Sequence, residues 1–119
     1  MDWFKYDGSQ SDVFMGIIIL LLSIRLYHME TIDSMQSSHH THVRVTGQVT
    51  YIRKESDGDI HFTLSDNGRF IVCEIVPWHP LVVPKLKSNV IVYGIRRIDN
   101  EAGHNWVEIH PVEKWVLIK

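Results

Sequence analysis

The sequence predicts a mainly β protein, a closed five-stranded Greek-key barrel preceded by an N-terminal hydrophobic helix. Three observations carry this. From Val43 onward apolar residues recur with period two, the pattern of strands with one buried face. Two tight-turn sequences, Glu55-Ser56-Asp57-Gly58 and Ser65-Asp66-Asn67-Gly68, divide that region into hairpin-sized pieces. A longer connection with Pro77, Pro80 and Pro84 then separates the third strand from the fourth, and its prolines exclude a regular long helix. Residues 43–119 are therefore the barrel, residues 1–12 a polar N-terminus, residues 13–27 the helix and residues 28–42 a linker.

A chain of 119 residues that is 45% hydrophobic is long enough for one small core. The formal net charge is -2, which gives no global electrostatic case for nucleic acid. Residues 1–42 hold Lys5 and Arg25 against five acidic residues, whereas residues 43–119 are close to neutral. Cys73 is the only cysteine, so an intrachain disulfide is excluded. Its place in Phe70-Ile71-Val72-Cys73-Glu74-Ile75 reads as a small buried hydrophobe rather than a reactive thiol.

From Val13 to Leu22 every residue is apolar or Gly, and Ile17-Ile18-Ile19-Leu20-Leu21-Leu22 is apolar all round. The run ending at Tyr27 is shorter than the roughly 20 residues of a full span, but Arg25 can snorkel and Trp3, Phe4 and Tyr6 suit an interface. A short single-pass membrane anchor is the leading expectation, with a helix docked on protein and a cleaved signal peptide as alternatives. The positive-inside bias gives only a weak preference for a cytosolic C-terminal domain. Residues 28–42 read as a solvated polar connection, and the tract His39-His40-Thr41-His42 as part of it, or else as a loose metal-binding tract.

In the first strand Val43, Val45, Gly47, Val49 and Tyr51 alternate with Arg44, Thr46, Gln48 and Thr50, and Gly47 permits a bulge or bend. On this parity Tyr51 is expected inside, and Tyr93 is expected there too. The second strand, Asp59 to Leu64, turns Ile60, Phe62 and Leu64 inward and Asp59, His61 and Thr63 outward. The third, Arg69 to Val76, is apolar on both faces except for Glu74. The fourth, Val90 to Ile98, passes through Gly94. The fifth begins at Asn105, is interrupted at Pro111 and resumes through Trp115, with Val107 and Ile109 on one face and Trp106, Glu108 and His110 on the other.

This order of strands is that of an OB-like barrel, with an SH3-like barrel or open sandwich as the runner-up. Gly58-Asp59-Ile60-His61-Phe62, Cys73-Glu74-Ile75-Val76-Pro77, Val92-Tyr93-Gly94-Ile95 followed by Asp99, and Trp106-Val107-Glu108-Ile109-His110-Pro111-Val112 together resemble a family of small, largely uncharacterised bacterial and archaeal OB-like domains. Its pattern is Asp-x-His, a Glu-Ile-Pro-like strand end, Val-x-Gly-Val and a terminal Glu-Leu-His-Pro-Val. The resemblance covers residues 43–119. It departs at Ile109, where the family often has Leu, and at Val76, an extra residue before Pro77. It implies the architecture and no particular substrate.

Two sets of candidate site residues follow. Asp59, His61, Glu74, Glu108 and His110 recur at outward strand positions and offer imidazole nitrogen and carboxylate oxygen, the ligand types of a divalent metal site or an acid–base pair. A purely structural cross-strand role is the competing reading. Trp78 and Trp106 offer faces for stacking bases, and Arg69 and Arg96 can flank them. Arg53, Lys54 and Arg97 are further cations in reach of such a face, although Arg96-Arg97 also reads as a solvated pair. No phosphate-cradling Gly-rich loop, Gly-x-Ser-x-Gly elbow, Cys-x-x-Cys pair or His-Glu-x-x-His helix is present. The expected function is thus a membrane-associated OB-like binding module for single-stranded nucleic acid or a nucleotide-like polyanion. The alternatives are a protein-interaction scaffold at a membrane and, third, a metal-dependent hydrolase.

Overall fold

The computed structural model describes residues 26–101, 103 and 105–118. The described residues form six strands: β1 (His28–Glu30), β2 (His42–Lys54), β3 (Ile60–Asp66), β4 (Arg69–Ile75), β5 (Asn89–Asp99) and β6 (Trp106–Leu117). They run in the order β1-β2-β3-β4-β6-β5, and β5 pairs back onto β2 to close a five-stranded barrel with β1 as an extra strand on β2. Antiparallel hairpins join β2–β3 and β3–β4, and β4 meets β6 in parallel at Val72↔Glu108 and Cys73↔Ile109. This is the Greek-key connectivity that the sequence order anticipates.

The alternation in sequence is what fills the barrel. Phe62 and Leu64 from β3, Ile71 and Cys73 from β4, Val90 and Val92 from β5 and Val107 and Ile109 from β6 are all buried in one cluster. The β3–β4 turn has Asn67 at φ 52 and Gly68 at φ 77, the doubly left-handed backbone for which Asn-Gly is suited. The proline-rich connection carries no helix. It lies across the barrel, with Leu81 and Val83 against the core and the Trp115 indole donating to the Val82 carbonyl at 2.7 Å.

Three features differ from the sequence expectation, and a fourth, Tyr93, lies inside as expected but against other neighbours. Where a polar linker is expected, residues 28–36 form β1 and a 3-10 turn at Ser34–Gln36, and Ile32 and Met35 enter the core. Hydrophobic residues spaced three apart in a polar stretch are enough to plug a barrel end without any visible strand pattern. Tyr51 is 53% exposed and not interior, because a bulge between Val49 and Tyr51 resets the parity of β2. Tyr93 is buried, but beneath Tyr27 and the Lys114 ammonium rather than in the central cluster. β6 continues through Pro111, whose peptide bond with His110 is cis, and the irregularity is taken up by register shifts on either side of Gly94.

Residues 13–25 of the expected hydrophobic helix lie outside the described residues. Among the described residues no helix is long and apolar enough to cross a membrane.

Candidate functional site

Because β3, β4 and β6 are adjacent, their outward residues meet in rows. His61 on β3 pairs with Glu74 on β4 on one side and with Arg53 on β2 on the other. Glu108 on β6 pairs with Val72 on one side and with Arg97 of β5 on the other. These rows converge in a cleft of about 480 Å³. Its lining holds seven carboxyl groups (Glu55, Asp57, Asp59, Glu74, Asp99, Glu101 and Glu108), two guanidiniums (Arg53 and Arg97), His61, His110 and the exposed Trp78.

Glu74 is the hub. Its Oε1 lies 2.5 Å from His61 Nε2 and its Oε2 lies 2.6 Å from His110 Nδ1. The other His61 nitrogen faces Glu55 Oε1 at 3.3 Å, and Glu55 is held by Arg53. Glu108 is 1% exposed; its Oε2 accepts the Trp106 indole N–H at 3.0 Å. Its Oε1 lies 3.5 Å from His110 Nδ1 and 3.8 Å from Arg97 Nε, yet accepts no hydrogen bond. Arg97 Nη1 is 3.2 Å from the same His110 Nδ1.

Packing so many acids together divides their proton affinities. Burial, and then the adjoining Glu74 carboxyl, push Glu108 up to about 8. Burial would raise Glu74 as well, but hydrogen bonding with Glu108 and His110 and the nearby imidazoles hold it below the ordinary carboxylate range. Asp59 is raised by burial, by Asp57 and by Glu74.

A pH dependence follows from these directions. The folded chain keeps a proton on Glu108 that the unfolded chain, with an ordinary carboxyl near 4.5, releases earlier. That contribution to stability is complete below pH 4.5 and is lost as the pH rises through about 8. Glu74 acts oppositely, its contribution being lost only as the pH falls below the ordinary range. The groups facing Glu108 are Glu74 from β4, Arg97 and Asp99 from β5, and Trp106 and His110 from β6. In chelator-treated protein the urea midpoint should fall between about pH 5.5 and pH 8.5, and Glu108→Gln should flatten the fall. A fall of equal size in the variant would show that another group is responsible.

The structure brings together Asp59, His61, Glu74, Glu108 and His110, and adds both tryptophans. Trp106 bonds Glu108, and the Trp78 ring is centred 6.3 Å from that of His110. Arg69 and Arg96 are elsewhere. Arg69 opens β4, five residues from Glu74, and pairs with Asp33 at 2.9 Å. Arg96 donates from Nε to the Met35 carbonyl at 2.7 Å, pinning the 3-10 turn to β5. Sequence reasoning gave no place in the site to Glu55, Asp57, Asp99 and Glu101. Asp99 carried a usable signal, since it follows Arg97 by two on one strand face.

Solved structures with the same barrel place this fold among known ones. The hypothetical protein ygiW from E. coli aligns at a TM-score of 0.56 and 19% identity, over 76% of this chain and 90% of that one. The fold is an OB barrel. Asparaginyl-tRNA synthetase from Pyrococcus horikoshii aligns at a TM-score of 0.53 and 22% identity over 66% of this chain, which spans 20% of the synthetase. Yeast Stn1 and Ten1 give 0.56 at 15% identity, over 78% of this chain and 63% of that one. No protein-family profile matches the chain, and no curated protein matches it in sequence. At these identities the likeness carries the OB fold alone.

Proposed function

We propose that this protein is an OB-type binding module whose outer face across β2, β3, β4 and the start of β6 takes an extended ligand, single-stranded nucleic acid or a nucleotide-like polyanion. The observation that carries the reading is a band of exposed rings on that face. Tyr51 is 53% exposed, Phe70 64% and Trp106 38%, with Thr63 and Val72 forming a shallow floor between Tyr51 and Trp106. Rings set along a sheet are what unstacked bases require, because stacking tolerates any sequence. Similarity of fold to tRNA synthetases supports the same reading as an analogy.

Charge limits how such a ligand binds. Arg53 borders the rings, but the cleft beyond it is rich in carboxylates, so few counterions are released and the salt dependence is shallow. The same acidity favours a second reading, a protein partner that offers lysine or arginine to the cleft and an apolar side chain to Phe70. The apolar run 13–27 suits attachment of the module to a membrane, and cell fractionation of the full chain tests it.

Oligonucleotide titration tests the main reading. Adding a mixed-sequence single strand of about 15 nucleotides at low salt should quench tryptophan fluorescence. Tyr51→Ala with Phe70→Ala should weaken binding by about 1–3 kcal/mol for each base that can no longer stack. Unchanged emission at low salt would count against nucleic acid and leave the partner-protein reading.

A further inference from the structure

We propose that Glu74, Glu108 and His110 form a three-ligand site for a divalent first-row metal ion, open toward the cleft. Glu74 Oε2, Glu108 Oε1 and His110 Nδ1 are the converging atoms, and one ligand atom from each residue lies within 4.8 Å of the others.

Two further observations point to a cation there. The first is Glu108 Oε1, an oxygen of a side chain 2% exposed that accepts no hydrogen bond while its partner oxygen is engaged by Trp106. Arg97 Nε is within ion-pair reach of that oxygen at 3.8 Å but does not hydrogen-bond it, and in the metal-free protein the proton that Glu108 keeps covers it; a cation can take that proton's place. The second is His110 Nδ1, which faces the Glu74 oxygen at 2.6 Å and the Arg97 guanidinium at 3.2 Å. One ring nitrogen cannot donate to the first and accept from the second. With a cation between the three atoms, the Nδ1 lone pair and the two carboxylate oxygens all point at positive charge, any protons they held pass to solvent, and Arg97, whose side chain is 42% exposed, can turn away from Nδ1 toward the cleft.

The donor set selects the ion. One imidazole nitrogen with two carboxylates suits zinc, manganese or iron(II) better than calcium, which takes six to eight oxygens. Three protein ligands leave a coordination position facing the cleft, the arrangement of an open site rather than a sealed structural one. His61, through its 2.5 Å contact with the other oxygen of Glu74, orients the hub ligand and is a positioning residue. The ion would also offset part of the cleft's negative charge. None of this depends on the nucleic-acid reading, because the site is tested with the metal alone.

Full-length protein stripped with chelator is titrated with zinc or manganese by calorimetry and by thermal unfolding. One ion per chain is expected, with a rise in Tm of roughly 10 °C at a hundredfold excess over Kd. Glu108→Gln should weaken binding at least tenfold, and His61→Ala by about 10- to 100-fold. His40→Ala separates this site from the His28, Glu30 and His40 group and should leave the affinity unchanged. Should a site variant fail to fold, manganese broadening of the His110 ring resonances in the unsubstituted protein gives the same answer. Absence of binding, or binding that survives Glu108→Gln but vanishes in His40→Ala, overturns the proposal.

Discussion

Replacing Gly94 with alanine should lower stability by about 3 kcal/mol or more, and the melting temperature by roughly 10 °C or more. A Cβ at this position would lie 2.6 Å from Ile109 Cγ2, closer still to the Pro111 carbonyl oxygen, and 3.1 Å from Val112 Cα. Two of those three atoms belong to backbone, so no rotamer change relieves the overlap. The ladder cannot slide either: Gly94 pairs with Val112 between two register shifts and with Val43 on its other side. Thermal unfolding followed by circular dichroism measures the loss. Gly68 is the control, since a Cβ there meets nothing within 4 Å and only its φ of 77° is strained. A Gly94→Ala protein that melts with the parent would mean that β5 and β6 do not approach this closely.

The second large effect is expected at Met35. Met35→Ala should cost about 2–5 kcal/mol, the range for removing a buried long aliphatic side chain. Met35 is 0% exposed in the central cluster, and its carbonyl receives Arg96. A protein that begins at Ser38 loses Ile32 as well as Met35 and should be destabilised further. Urea denaturation of the three proteins should give falling midpoints in that order. Equal midpoints would show that residues 28–36 rest on the barrel without supporting it.

Much of the fold was readable because local and tertiary signals agree in this chain. Asn67-Gly68 names its own turn, and Phe62, Leu64, Ile71, Val107 and Ile109 face inward as period two requires. The convergence of His61, Glu74, Glu108 and His110 was also readable, since it needs only parity and the pairing of β4 with β6. What was not readable depends on contacts that leave no periodic trace. The Tyr51 expectation failed at a one-residue bulge, which inverts every later position on β2. Arg96 and Arg97 are adjacent and chemically alike, yet one ties down the 3-10 turn and the other enters the cleft, because successive strand residues face opposite ways. Glu55 comes from a turn, and its position depends on the hairpin geometry around Asp59.

The parallel seam between β4 and β6 has a consequence for the order in which the molecule is built. Glu74 and His110 are 36 residues apart in sequence and touch only once that seam has formed. The meander β2–β3–β4 can form from neighbouring segments, whereas the seam needs a long loop to close first, at an entropic cost that local hairpins avoid. The cleft is therefore expected to form after the hairpins, and pulse-labelled hydrogen exchange should show β3 and β4 amides protected before those of β6. A molecule bound across it grips two chain segments that are otherwise far apart and bolts the last strand in place. Occupancy of the cleft would then slow the opening of the barrel and leave the earlier hairpins untouched.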